Sequence, residues 1–204
     1  MLKSVLNSVS QHHAKLALLA LITLLIVLFS DQSHLSYWQF HRPSFFVNQW
    51  QSISHGLIIH STQQLVINIL ALLLMAFLFS NAFKSLWWLI ALTALIASSA
   101  YGVFFYQPEI DIMSGLAAGL HGLFLYAVLR NRSSFGWLAL LALKLFIDLN
   151  EEILPSFIIS HLSITAFQPA NPEANLWGLA GGFCIFGLAR TLSLIPVIVE
   201  LNRD

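Results

Sequence analysis

Apolar residues in this chain fall into long runs separated by short polar breaks. Crossing a hydrocarbon core about 30 Å thick takes roughly 20 residues of helix, and six runs approach that length. They cover about 15–30, 54–80, 85–105, 113–129, 136–154 and 174–196. The pattern predicts an all-α membrane protein, a six-transmembrane-helix bundle forming a single domain over 1–204. The first run has His12, His13 and Lys15 before it and Asp31 after it. It has no small-residue cleavage site and no soluble domain behind it, so it reads as an anchor and not as a signal peptide.

Basic residues orient the runs. Lys3, Lys15, Lys84, Arg130, Arg132, Arg190 and Arg203 fall near the termini or in the loops after the second and fourth runs. Arg42 alone falls on the opposite side, and Lys144 sits inside the fifth run. The excess of Lys and Arg on one side predicts that both termini are cytoplasmic. The outside then holds residues 31–51, an acidic turn around Glu109 and Asp111, and residues 155–173. Tyr37, Trp38, Phe40, Phe45, Phe46 and Trp50 make the first outer loop aromatic, which suits a segment at headgroup level.

Composition sharpens this reading. Hydrophobic residues make up 58% of the 204 positions and charged residues 9%, against about 25% charged in a soluble domain. The polar groups are too few to cover a water-facing surface, which excludes a soluble enzyme. Nine basic residues balance nine acidic ones, so no bulk charge exists to hold nucleic acid. Cys184 is the single cysteine, which removes disulfide frameworks and thiolate clusters. No cofactor or metal is expected, because His55, His60 and His121 lack the paired spacing that ligation across two helices requires.

Two groups of residues carry the remaining information. Gly115, Gly119 and Gly122 stand at i, i+4 and i+7 on the fourth run, and Ala174, Gly178 and Gly182 at i, i+4 and i+8 on the sixth. Small residues let helix backbones approach in lipid, so these two spans should touch through Gly115, Gly119, Gly178 and Gly182. Polar residues within spans are costly and tend to face the interior. They are His55, His60, Gln63, Gln64 and Asn68 on the second run, His121 on the fourth, Lys144 and Asp148 on the fifth and Asn175 on the sixth. Lys144 and Asp148 stand at i and i+4, the spacing of a self-neutralising ion pair.

These residues together resemble the rhomboid intramembrane serine proteases, with a rhomboid-type bundle as the implied fold. The stretch Gly115-Leu116-Ala117-Ala118-Gly119-Leu120-His121-Gly122 is similar to the family's Gly-x-Ser-Gly nucleophile motif, and its Leu-His-Gly ending resembles the rhombosortase branch. Ala174-Asn175-Leu176-Trp177-Gly178 resembles that branch's Ala-His-Leu-Trp-Gly, and Lys144-Leu145 is a weaker likeness. The resemblance covers about 49–187. It places Ala117 at the nucleophile position and Asn175 at the general-base position, facing each other in the outer half of the membrane. The oxyanion pair, a His and an Asn, reads Gln64 and Asn68, with His121 as a further cavity donor; the Trp-Arg before that span reads Trp50-Gln51.

Acyl transfer by a serine hydrolase needs a nucleophile, a base and oxyanion donors, and the first two are absent at these positions. Ser114 and His121 cannot substitute as a dyad, since seven residues separate them by about 10 Å along a helix. Nothing in the sequence requires His161 to approach Ser114. Two readings stay open: a pseudoprotease that binds the transmembrane C-terminal segment of an exported client without cutting it, or an active intramembrane serine protease inactivated at 117 and 175. The changes at Gln51 and Gln64 favour natural loss. A small transporter would need a polar path through both faces, and the polar residues gather towards the outer half. The implied partners are membrane lipid, a client's transmembrane segment and an active protease acting beside this chain. The implied location is the bacterial inner membrane.

Overall fold

The computed structural model describes residues 2–30, 35–131, 135–149 and 172–201. Its elements are α1 (Leu2–Ser30), α2 (Leu35–Trp38), β1 (Phe40–His41), α3 (Gln51–Ser54), α4 (Thr62–Leu78), α5 (Trp87–Tyr106), β2 (Ile112–Met113), α6 (Ala117–Asn131), α7 (Phe135–Leu149) and α8 (Pro172–Leu201). Among the described residues two stretches are long and apolar enough to cross a membrane, His12–Ser30 of α1 and the whole of α5. A third candidate is a pair of segments, Gln51–Leu57 and Thr62–Leu78, bent by 99°. The protein is thus mostly helical, with two or three candidate spans by length and composition.

Two expected helices are shorter or broken. The run at 54–80 is not one helix, because residues 58–61 leave the helical conformation. Ser61 is extended (φ −140°, ψ 151°), and its side chain accepts a hydrogen bond from the Gln64 N–H at 3.1 Å. The Gln64 side chain reaches back to accept from the His60 N–H at 3.0 Å. This reciprocal cap starts α4 as a new helix. The run at 113–129 likewise becomes helical only at Ala117, since Met113 pairs with Phe40 and Ile112 with His41 in a short antiparallel ladder. Gly115 follows with φ 109°, a conformation that side-chain-bearing residues rarely adopt. The fifteen residues of α6 rise about 22 Å at about 1.5 Å per residue, short of the hydrocarbon thickness. The end of the fifth run beyond 149, with the outer segment up to 171, lies outside the described residues.

The core is built on α5, α6 and α8. On α5 the buried side chains Trp88, Ala91, Leu92, Leu95, Ile96, Ser99, Ala100 and Val103 recur every three or four residues, giving one continuous stripe. Helix α6 is buried on nearly every side from Ala118 to Val128, as befits a helix enclosed by others. Its contact with α8 is backbone on backbone: a Cβ on Gly178 would overlap the Ala118 carbonyl, and one on Gly122 would overlap the Gly178 carbonyl. A Cβ on Gly182 would lie 2.7 Å from the Gly122 carbonyl oxygen. Trp177 sets the rotation of α8 by lying over Gly102 and stacking on Tyr106, ring centroids 4.6 Å apart.

Arg42 ties the first loop to the end of α5. Its guanidinium donates to the carbonyls of Ile110 (2.9 Å), Phe104 (2.5 Å), Val103 (2.8 Å) and Gln107. These carbonyls lie in or beyond the last turn of the helix, where the dipole favours a cation; those of Val103 and Gln107 also accept from the Gln107 and Ile110 N–H groups. The lone basic residue of this loop is therefore a structural cap. Phe40 and Phe45 are fully buried, Phe45 stacking on Phe104 at 4.8 Å, while Phe46 and Val47 stay exposed. The aromatic loop expected at headgroup level is partly bundle core. Residues 40–42 and 111–113 accordingly share one end of the molecule.

The helix contact makes a stability prediction. Gly178→Ala should force α6 and α8 apart and cost about 1–3 kcal/mol, the usual range for overpacking. Gly187→Ala meets nothing within 4 Å and should leave the detergent melting temperature unchanged or slightly higher. Equal melting temperatures for the two variants would refute the close contact.

Candidate functional site

The start of α6 and the start of α8 meet at a small cavity of about 10 Å³, lined by His55, Ser99, Met113, Ser114, Gly115, Ala117, Ala118, Ala174 and Asn175. That volume holds about one water molecule. Asn175 reaches it because Asn175, Gly178 and Gly182 stand at i, i+3 and i+7, so the face that packs on α6 also carries the amide. Ala117 reaches it as the first residue of α6. Both positions taken from the motif resemblance thus line one space, and the side chains there are a methyl group and a carboxamide.

Hydrogen bonding around the cavity is uneven. The Ser99 hydroxyl donates to the Ile96 carbonyl at 2.7 Å. The His55 Nδ1–H donates to the Gln51 carbonyl at 2.9 Å, and the His55 carbonyl accepts from the Gly115 N–H at 2.8 Å. Asn175 is 1% exposed, yet its Nδ2 has no hydrogen-bond partner among the described residues. Buried polar atoms are paired in the great majority of cases, so this donor is an exception that needs a reason.

Ser114 is the hydroxyl that the sequence left without a partner, and His60 supplies one. Its Nε2 and the Ser114 Oγ share a hydrogen bond of 2.5 Å. His161, the other candidate, lies outside the described residues. His60 sits in the break between the two halves of the second run, so the bond fastens that break to the loop ahead of α6. Gln64 adds to the joint: its Nε2 would lie 2.8 Å from a Cβ on Gly115. The capping sequence Ser61-Thr62-Gln63-Gln64 is the local signal that would have located this break.

The remaining expected site residues are dispersed. Gln64 caps α4. Asn68 is buried on the bundle-facing stripe Leu65, Asn68, Leu72 and Met75 of α4, its Nδ2 also without a partner among the described residues. His121 donates from Nδ1 to the Ala117 carbonyl at 2.7 Å, one turn back on its own helix. None of the three lines the cavity. Gly119 packs on Leu92 and Ile96 of α5, and Gly115 precedes the helix, so neither joins Gly178 and Gly182 at the α6–α8 contact; Gly122 does. The i, i+4, i+7 pattern misassigned them because it presumes a helix that already runs through 115. Lys144 is exposed on α7, and the Asp148 side chain is not among the described residues. Among the described residues no group of three His, Cys, Asp or Glu side chains is placed to hold a metal ion. No protein-family model matches the sequence, and no curated protein matches it.

The Ser114–His60 bond predicts energetic coupling. In a double-mutant cycle of His60→Ala and Ser114→Ala, unfolding in mixed micelles should show a coupling of about 1 kcal/mol, the net worth of a typical hydrogen bond. Strict additivity would show that the joint is held by other contacts.

Proposed function

We propose that this chain is a rhomboid-like pseudoprotease: a six-span bundle of the bacterial inner membrane, both termini cytoplasmic, that takes a client's transmembrane segment between its helices and holds it uncut. The observation that carries this reading is Ala117 and Asn175 on the wall of one cavity where α6 and α8 meet. A methyl group has no lone pair with which to attack a carbonyl, and a carboxamide takes up no proton at physiological pH, so the pair performs no acyl transfer. Features suited to receiving a helix remain beside it: small-residue faces, an unpaired amide donor, and a broken second run whose non-helical backbone is held by protein contacts. Under this reading clients are exported proteins ending in a Gly-rich motif, an apolar helix and a basic tail. Their cleavage, where it occurs, falls to a separate active protease.

Activity tests the proposal directly. The unmodified chain in proteoliposomes should leave a rhomboid substrate intact and take up no serine-directed phosphonate. Ala117→Ser alone should recover little, because Asn175 is no base. Ala117→Ser with Asn175→His should raise labelling at 117 about a hundredfold over the single variant, the contribution of a positioned general base. Labelling of the unmodified chain at Ser114, the cavity hydroxyl bonded to His60, would overturn the reading.

A further inference from the structure

We infer that Asn175 is a client-binding residue whose Nδ2 donates a hydrogen bond to a main-chain carbonyl oxygen of the held segment. This rests on the client-holding reading above and names the contact through which holding occurs. The cavity's other polar side chains are already engaged, Ser99 with Ile96, Ser114 with His60 and His55 with Gln51. Its spare capacity includes a donor, the buried Asn175 Nδ2, which has no partner among the described residues. The opening turn of α6 contributes in the same sense, because the first N–H groups of a helix have no intrahelical acceptor and carry the positive end of the dipole.

The Asn175 Nδ2, a buried donor aimed into this space, can be paired by an oxygen with lone pairs. The cavity's volume admits one oxygen-sized group and no side chain larger than that. A peptide carbonyl fits both conditions when the peptide is unwound, since in a helix that oxygen is already bonded to its own chain. The helix-breaking glycines expected ahead of a client's apolar segment would free such carbonyls.

With no partner among the described residues, the Asn175 Nδ2 adds no protein hydrogen bond to the stability of the free protein. Leaving a buried donor unpaired is unfavourable, whereas an apolar group of similar shape is neutral or stabilising in its place. A purely structural asparagine behaves in the opposite way, losing stability when it is replaced. Binding and stability should consequently move in opposite directions on substitution.

The experiment uses the full chain in detergent micelles and a fluorescent synthetic peptide of Gly-Gly-Ala-Gly, a Leu/Ala helix and a Lys-Arg tail, carrying a 13C=18O carbonyl at its last glycine. Anisotropy gives affinity, and the isotope-shifted amide I band reports hydrogen bonding at that carbonyl. The expected result is a lower band frequency on binding to the unmodified chain. Asn175→Leu should bind the peptide roughly tenfold more weakly, as one net hydrogen bond allows, lose the band shift, and melt at an equal or higher temperature. A bound peptide whose band stays unmoved on the unmodified chain overturns the inference without any variant. Equal affinity and an equal shift with Asn175→Leu also overturn it and leave client holding intact. If the peptide fails to bind the unmodified chain, client holding and this contact fall together.

Discussion

The backbone contact between α6 and α8 is the constraint on which the rest of the structure depends. Within lipid, helices gain nothing by hiding apolar surface from one another, because the surrounding tails are equally apolar. Association must come from close packing, and the closest packing available is carbonyl against glycine. Ala118 and Gly122 on one side and Gly178 and Gly182 on the other meet in that way. Helix α5 packs against both, and Trp177 locks the rotation of α8 against Gly102 and Tyr106.

That same contact makes the site. Bringing the two backbones together places the first residue of α6 and the second buried position of α8 around one cavity. The geometry does not depend on what those two side chains are, since the residues that fix it are the glycines and Trp177. The space is thus set by how closely the two backbones approach, and a methyl group and a carboxamide line it. The Asn175 Nδ2 is buried there with no hydrogen-bond partner among the described residues.

The end of the molecule that carries the cavity is held by polar contacts. Arg42 gathers four carbonyls at the end of α5, the β1–β2 ladder pins the residues ahead of α6, and the Ser114–His60 bond fastens the break in the second run. Tyr37, Trp38 and Trp50 pack ring against ring, and the Gln51 and Ser54 side chains donate to the Tyr37 and Trp38 carbonyls. Irregular backbone is tolerated near a membrane only where protein supplies its hydrogen bonds. These side chains supply them here.

The sequence by itself determined the helical character, the apolar length of the candidate spans, the extent of α5 and the pairing of the fourth and sixth runs, because these follow from run length and from glycine spacing, which are local. It also named Ala117 and Asn175, through motifs whose spacing is read along one helix at a time. It misread 54–80 as one helix, although Ser61-Thr62-Gln63-Gln64 carried the cap that starts α4, because apolar run length outweighed a four-residue signal. It placed Gly115 and Gly119 at the α6–α8 contact, whereas tertiary structure decided that β2 pairing holds 112–113 out of the helix and that Gly119 faces α5. The partner of Ser114 and the unpaired state of Asn175 were likewise beyond the sequence. A hydrogen bond between residues 54 positions apart, or the lack of one, depends on how separate helices dock, and no one-dimensional period encodes that.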